Sequence, residues 1–465
     1  MGYRRTGILS GLFGDRQERL KLLLLTAAFF LVIAAYTVIQ ALKDSVFLAI
    51  VGEDWQQWAR MGTMFVLVPA ILLYSYLVDR MRRYELLYVY TIAYGILGLT
   101  FAYFLGDPQI GLANTVASPN RLIGWCFFFF SEGYSSFIVS LFWAFANSVN
   151  SPESAKKSYG FLVSGSKLGG ALSAGLAWYL FSCSLPRLVV LSDVGKHQLL
   201  IGLSSIMLLL VPVVIHYLMK KVPGRLLHGY EAVYQIEKER AQQTEEEKPK
   251  LFRGLQLLVK YPYVMGIFGM IFFYEVCYSI VSYQRLIIAN ACSTGVAELS
   301  CKLFEQMFWI HVSGFLISSI GTTFFLERFG ERRVLLLIPI VSGSFLLWFV
   351  LTRDFNVTTI VFVCLRAINF AVTYPVRESL YIPTVKDVKF KSKSWIDAFG
   401  NKLSKTFGSS TNLALKYILN NFDSLCYFWT LFSVFGVLIA GWVLVAHLLG
   451  KRYERLVTHN EVIGL

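Results

Sequence analysis

The sequence contains few charged residues for its length. Only 15% of its 465 residues are Asp, Glu, Lys or Arg, whereas 56% are hydrophobic. Apolar stretches long enough to cross a bilayer recur from one end of the chain to the other. This composition excludes an ordinary water-soluble domain and predicts an all-α, polytopic membrane protein.

Groups typical of catalysis and metal binding are also scarce. The six His residues are scattered, and the seven Cys residues form no CxxC motif, so we expect no metal site. The segment GNKLSKT at 400–406 ends like a phosphate-binding loop, but it lacks the GxxxxGK[ST] spacing and no strand precedes it. We therefore expect neither an enzyme nor a bound cofactor.

Positive charge is abundant but dispersed. The formal net charge is +14, which could indicate a nucleic-acid partner. The Lys and Arg residues form no single block, however, and most lie in short segments between apolar runs. Membrane topology explains this pattern better, so the expected surroundings are the lipid bilayer, with no nucleic acid.

The apolar runs predict twelve transmembrane helices in two halves. The polar interruption at 220–261 predicts a linker between an N-terminal six-helix bundle, 1–219, and a C-terminal six-helix bundle, 262–465. The runs lie at about 20–42, 57–79, 84–105, 122–149, 158–182, 198–219, 262–291, 304–326, 333–352, 357–380, 395–420 and 424–450.

The distribution of basic residues predicts the orientation. Short cytoplasmic segments collect Lys and Arg. With both termini inside, 29 of the 43 basic residues lie on the cytoplasmic face and six on the opposite face. We therefore expect cytoplasmic termini and a cytoplasmic linker.

Two loops repeat one motif at corresponding positions of the halves. YLVDRMRR follows the second span and FLERFGERR follows the eighth, each with an acid-Arg pair and then a double Arg. A single such loop could merely reflect the preference of cytoplasmic turns for Arg. The pair resembles the loop motif of the major facilitator superfamily, in which two six-helix bundles are related by an axis along the membrane normal.

Charges inside the apolar runs mark the candidate site, because a charged side chain at the bilayer centre costs about 2.5–3.5 kcal/mol on insertion scales. Between 366 and 416, five bases in the spans oppose two acids, a balance that suits an anionic solute. Each acid could instead neutralise a neighbouring base in a purely structural pair. We interpret Lys167, Arg285 and Lys416 as structural, because they can snorkel or lie at helix ends.

Four sequence motifs resemble the ATP/ADP translocase family of plastids and intracellular bacteria, over most of the chain. They are YTVIQALKD at 36–44, LFWAFANSV at 141–149, SAKKSYG at 154–160, and RESLYIP at 377–383 followed by IDAFGNKLSK at 396–405. The chain departs from the family pattern at Gln40 and Ala41, where an Arg-Asp pair is common, and around Lys405. These departures leave the solute open among nucleotides.

The resemblance implies four charged positions required for transport. Local motifs point to Lys43 and Lys405, and span position points to Glu132 and Glu275. The remaining candidates for the substrate site are Arg377, Asn401, Tyr36 and Asn147, which lie in the same motifs.

The predicted function is a monomeric nucleotide transporter that works by alternating access, most readily an ATP/ADP exchanger. The resemblance implies a bacterial inner-membrane location. The alternative is a proton-coupled importer of another nucleotide, NAD or an anionic metabolite. The sequence does not decide between ATP, NAD and a pyrimidine nucleotide.

Two cysteines could close an external loop. Cys292 and Cys301 lie in the same predicted short segment and could form a disulfide bond in an oxidising compartment, although Cys183 could compete.

Overall fold

The structure is a computed structural model in which every named element is a helix. It describes residues 16–78, 80–150, 152–182, 191–223, 227, 251–320, 322–352, 354–381, 383–385, 392–393, 395–459 and 461–463. Most of the predicted linker, and Cys183, lie outside the described residues.

The first part of the chain forms six helices. In chain order they are α1 (Arg16–Ile50), α2 (Gln56–Val78), α3 (Arg83–Phe104), α4 (Leu122–Val149), α5 (Pro152–Ser182) and α6 (Asp193–Lys221). A short 3₁₀ turn, Glu53–Trp55, precedes α2. One π-helical turn, Ser135–Val139, interrupts α4.

The second part begins with a short helix and continues with six longer ones. They are α7 (Leu251–Lys260), α8 (Pro262–Ala291), α9 (Val296–Ile320), α10 (Thr322–Thr352), α11 (355–380), α12 (396–421) and α13 (Ser424–Thr458). π-Helical turns occur in α11 at Asn369–Thr373 and at the start of α12 at Ile396–Gly400.

Seven of the described helices are long and apolar enough to cross a membrane: α1, α3, α4, α6, α8, the part of α10 from Gly330 to Thr352, and α13. The prediction of an all-α, polytopic membrane protein is confirmed. The count of twelve spans is consistent with this set and remains a prediction, as do the orientation and the division at 220–261.

Contacts between residues divide the chain into two compact units. Unit 1 comprises Met1–Gly52, Leu67–Glu246 and Val296–Phe308. Unit 2 comprises Glu53–Val66, Glu247–Gly295 and Trp309–Leu465. The first part of α9 therefore packs within unit 1, where His197 Nε2 lies 2.9 Å from Ser300 Oγ.

Unit 1 is organised around α1, which packs against α4, α5 and α6. Gly169 of α5 approaches α1 so closely that a Cβ there would lie 2.7 Å from the Phe30 carbonyl oxygen. Phe29 stacks on Phe142 of α4 with 4.3 Å between ring centroids. Because lipid tails are as apolar as the side chains, the hydrophobic effect does not hold the helices together in a membrane. Close van der Waals packing of this kind stabilises the bundle instead.

Unit 2 is organised around α8, which packs against α11, α12 and α13. The loop motif FLERFGERR lies within α10, where Gly330 has φ +72° and ψ 157°. Only glycine adopts this backbone region without strain, so Gly330 permits the sharp bend there. Arg332 then pairs with Glu454 of α13 at 2.5 Å.

One buried arginine holds together the loop that connects α3 to α4. The Arg121 side chain donates hydrogen bonds to backbone carbonyls of the loop and of the last residue of α1. Burial lowers the pKa of Arg121 from its ordinary value, but a guanidinium stays charged in proteins. The carbonyl oxygens are those of Ile50, Ile110, Gly111, Asn114 and Val116.

The possible disulfide bond between Cys292 and Cys301 is not formed in this structure. Cys292 follows the last residue of α8, whereas Cys301 lies in α9, and the two are not bonded to each other. The Cys301 Sγ atom lies 3.2 Å from Ser182 Oγ, in unit 1. A helical residue is fixed by its own packing, which removes the freedom that a loop cysteine would need.

We expect Arg121→Gln to lower the free energy of unfolding by about 2–4 kcal/mol, because it strands several buried carbonyl groups. Thermal unfolding in detergent measures this loss. Lys196→Gln is the control, since its 3.4 Å contact is with a largely exposed Asp193 and exposed pairs contribute little. Equal melting temperatures for the two variants would contradict a structural role for Arg121.

Candidate functional site

Lys43 of α1 forms a buried ion pair with Glu132 of α4. The Lys43 Nζ atom lies 2.5 Å from Glu132 Oε1 and 3.9 Å from Asp44 Oδ1. It also lies 4.9 Å from the centre of the Phe128 ring, one helical turn before Glu132. The lysine side chain is only 8% exposed. The structure thus brings together two of the predicted residues, at the contact between α1 and α4.

A second polar contact fixes the same pair of helices. Gln40, one turn before Lys43, donates a 2.9 Å hydrogen bond from Nε2 to the Ser131 carbonyl oxygen. Removing one member of a buried ion pair leaves an uncompensated charge, which typically costs about 3–5 kcal/mol. The Lys43–Glu132 pair therefore links α1 to α4 within unit 1.

Tyr36 and Asn147 lie away from this ion pair along the helices. Tyr36 is two turns before Lys43 and packs against Tyr134, with 5.6 Å between ring centroids. Asn147 lies 15 residues after Glu132, about 22 Å along an ideal helix. It is exposed, and its Oδ1 accepts a hydrogen bond from the Tyr159 hydroxyl. Asn147 is therefore not beside the charges of unit 1.

In unit 2, close packing of α8 on α12 positions Glu275 and Lys405. A Cβ at Gly408 would lie 2.6 Å from the Ser279 Cβ atom, so only glycine fits there. Ser279 donates a 3.4 Å hydrogen bond to the Lys405 carbonyl oxygen, and Asn412 donates a 3.2 Å bond to the Ser279 carbonyl oxygen. Since Glu275 is one turn before Ser279, it lies at the level of Lys405 on the neighbouring helix.

Two oxygen atoms of the predicted residues are buried without a hydrogen-bond donor in the described part of the chain. They are Glu275 Oε2 and Asn401 Oδ1. The whole of Glu275 is only 7% exposed. Asn401 lies one turn before Lys405 on α12, so its amide shares a helix face with the lysine. Buried polar groups without partners are uncommon and call for an explanation, such as a ligand or a proton.

Arg377 lies near the end of α11, and its guanidinium is 4.8 Å from the centre of the Tyr374 ring. Its neighbour Glu378 is bound to Lys393, with 2.6 Å between Nζ and Oε2. The carboxylate next to Arg377 in sequence is thus paired with another base. The Arg377 guanidinium lies against the face of the Tyr374 ring.

Sequence reasoning missed a ladder of aromatic rings and arginines between α8 and α11. Tyr274, Tyr278 and Phe362 stack in succession, with ring centroids 5.9 Å and 5.5 Å apart. The Arg366 guanidinium lies 4.3 Å from the Tyr278 ring centre, and that of Arg285 lies 4.1 Å from the Phe362 ring centre. Cation–π contacts of this kind stabilise a guanidinium away from water.

Arg285 does not snorkel, and its assignment as a structural residue stays a prediction. Its side chain does not reach the surface, because the residue is only 2% exposed. The signal that could have identified the ladder is spacing. Phe362, Arg366 and Phe370 lie four residues apart, which places them on one face of α11. Lys416, by contrast, pairs with Asp54 within unit 2.

π-Helical turns adjoin the candidate residues in both units. The turn in α4 begins three residues after Glu132, the turn in α11 begins three residues after Arg366, and the turn in α12 ends one residue before Asn401. Such turns are rare and occur frequently at functional sites. Their positions support α4, α11 and α12 as helices that carry functional residues.

One family model matches the chain. Residues 120–286 match the model of the TLC ATP/ADP transporter family, a segment that contains Glu132, Glu275 and Arg285. No curated protein sequence matches the chain significantly.

Solved structures match nearly the full length. A D-xylose–proton symporter has a TM-score of 0.61 at 13% identity and covers 92% of this chain and 96% of its own. A partially occluded, inward-open conformation of the xylose transporter XylE from E. coli has a TM-score of 0.59 at 14% identity, covering 93% and 99%. A point mutant of the nucleoside transporter NupG has a TM-score of 0.57 at 14% identity, covering 92% and 98%.

At these identities the solved structures establish the fold alone, and the family model covers the segment that joins the two charged regions. The predicted resemblance to the ATP/ADP translocase family is confirmed for residues 120–286, and the predicted fold is confirmed by the solved structures. The chain is an integral membrane protein of the major facilitator fold, and its residues 120–286 match the TLC ATP/ADP transporter family.

Proposed function

We propose that the protein carries nucleotides across a membrane by alternating access and exchanges ATP for ADP most readily. The observation that carries the proposal is the excess of positive charge in the helices of unit 2. Helices α8, α11 and α12 contain six bases and three acids. Of these, Glu378 binds Lys393 and Lys416 binds Asp54. A bound polyphosphate would complement this excess of bases over acids in the sequence of the three helices.

The chemistry of the residues fits a nucleotide on two counts. Lysine and arginine form short, charge-assisted hydrogen bonds with phosphate oxygens. Aromatic side chains stack on nucleobases, and the partly exposed ring of Tyr36 is the candidate for that contact. Sugars carry neither a charge nor an aromatic base, so the solutes named for the xylose carriers do not explain the charge of this chain.

In this proposal the chain performs transport without hydrolysis or a cofactor. Lys405 and Asn401 bind phosphate in unit 2, with Arg377 and Arg366 adding positive charge. Lys43 binds phosphate in unit 1 when an incoming anion competes with Glu132. Tyr36 remains a candidate for stacking on the base.

A second candidate function is proton-coupled import, and Glu275 favours it. Such an importer needs a carboxyl group that couples the proton to the solute, and we assign that role to Glu275, whose buried Oε2 accepts no hydrogen bond from the described residues. Protonation would remove its negative charge while an anionic solute is bound. Symport and exchange then differ in what balances the charge of the solute. In symport it is a proton on Glu275, and in exchange it is the counter-nucleotide.

The first test separates structural from functional roles of the pair in unit 1. Lys43→Gln removes the base that Glu132 contacts in a largely buried ion pair, so we expect the free energy of unfolding to fall by up to about 3–5 kcal/mol. The double variant Lys43→Gln/Glu132→Gln should regain most of this stability and remain inactive in nucleotide uptake. Recovery of both stability and uptake would reduce the pair to a structural link.

The second test addresses phosphate recognition by Lys405. Loss of a charge-assisted hydrogen bond should weaken the apparent affinity of Lys405→Gln for ATP by about 10- to 100-fold, and for AMP by less. Lys405→Arg should recover only part of the loss, because a planar fork does not replace a compact ammonium. Competition for labelled ADP uptake into proteoliposomes measures both effects.

Lys416→Gln is the matched control for Lys405, since it lies on the same helix and its charge is bound to Asp54. It should leave the order of affinities among mono-, di- and triphosphates unchanged. If Lys405→Gln folds in normal yield and has the affinity order of this control, Lys405 does not bind phosphate.

The third test decides between exchange and symport. If Glu275 carries the coupling proton, uptake into vesicles without internal ADP should rise when the outside is made acidic, and Glu275→Gln should abolish this response. Glu378→Gln is the control, because its carboxylate is bound to Lys393. Uptake that requires internal ADP and ignores the pH gradient would exclude the symport candidate.

A further inference from the structure

An apolar groove runs along unit 2, between α8 and α13, and the proposed transport site does not use it. Its volume is about 730 Å³. None of the predicted site residues lines it. Its walls are formed by apolar side chains of both helices, chiefly Met265, Phe268, Phe272, Val445, Leu448 and Leu449.

The groove exists because α8 presents glycine where other helices present a side chain. Gly266 and Gly269 line the groove one turn apart. A Cβ at Gly266 would lie 3.1 Å from Leu449 Cδ1, and one at Gly269 would lie 3.1 Å from Val445 Cγ1. The two helices therefore approach each other closely at these glycines, and the flanking apolar side chains line the groove.

One end of the groove is positively charged. Arg452 of α13 lines it, and so does Tyr261, whose ring centre lies 5.3 Å from the Lys260 ammonium. Pro262 opens α8 at this same end, so the positive end of the helix dipole adds to the two side chains.

Hydrogen bonds fix this end of the groove. The Tyr263 hydroxyl donates to the Leu380 carbonyl oxygen at 2.7 Å. Ile463, which also lines the groove, donates to the Pro383 carbonyl oxygen at 2.9 Å and accepts from the Val385 N–H at 3.0 Å. Because these hydrogen bonds lie within the protein, the charged end of the groove is preformed.

We propose that the groove binds an anionic phospholipid, with one acyl chain along the apolar walls and the phosphate at Arg452 and Lys260. The volume and apolar lining suit a hydrocarbon chain, which the surrounding membrane supplies. The cations favour a net negative headgroup over a zwitterionic one, because each interfacial Lys or Arg attracts anionic lipid. A nucleotide does not fit these walls, which offer its base and ribose almost no hydrogen-bonding groups.

The test is lipid competition. The full-length protein is equilibrated with equal amounts of phosphatidylglycerol and phosphatidylcholine, and native mass spectrometry measures the retained lipid. We expect phosphatidylglycerol to be preferred about 25-fold, which corresponds to about fivefold for each of the two cations. Equal retention of the two lipids by the unaltered protein would overturn the proposal without any variant.

Two variants locate the site. Lys260→Gln/Arg452→Gln should lose the headgroup preference but keep a bound lipid. Met265→Trp should displace both lipids. Met265 lines the groove and is 39% exposed, so the larger Trp ring fills the groove without disturbing the core. Lipid retention unchanged in Met265→Trp would place the bound lipid elsewhere on the protein.

Lys220→Gln/Lys221→Gln is the matched control. These exposed lysines end α6, and the Lys221 ammonium lies 5.9 Å from the Tyr217 ring centre, an arrangement like that of Lys260 and Tyr261. The control should keep the full preference for phosphatidylglycerol. If it loses as much preference as the groove variant, general surface charge and not the groove selects the lipid.

Discussion

The cost of charge inside a membrane governs the interior of this protein. Each ionised group at membrane depth must meet an opposite charge, an aromatic face or a bound solute. Lys43 meets Glu132 at 2.5 Å. Arg285 and Arg366 lie against the aromatic rings of α8 and α11. The first solution neutralises charge, and the second stabilises it against the face of an aromatic ring.

Helix packing determines which of these groups can meet a solute. Gly408 allows α12 to approach Ser279 of α8, and this contact places Lys405 at the level of Glu275. A π-helical turn immediately before Asn401 changes the direction in which the following side chains point. Small residues and local backbone irregularities thus set the positions of the charges, although they bind nothing themselves.

The apolar runs predicted the helical fold well, because length and hydropathy decide whether a segment crosses a bilayer. The cost of buried charge marked Lys43, Glu132, Glu275 and Lys405 as candidates, but it could not show which of them pair. The snorkelling explanation failed for Arg285. The length of its side chain allows snorkelling, but the guanidinium lies buried against the Phe362 ring. Asn147 was selected from a motif, and helix geometry separates it from Glu132.

The ion pair between Lys43 and Glu132 joins residues 89 positions apart, and this separation matters while the protein is being made. At roughly 5–20 residues per second, Glu132 is synthesised about 5 to 20 s after Lys43. Helix α1 must therefore enter the membrane with Lys43 and Asp44 but without its later partner. The run within α1 is the most apolar of the seven candidate spans, which offsets that temporary cost during biosynthesis.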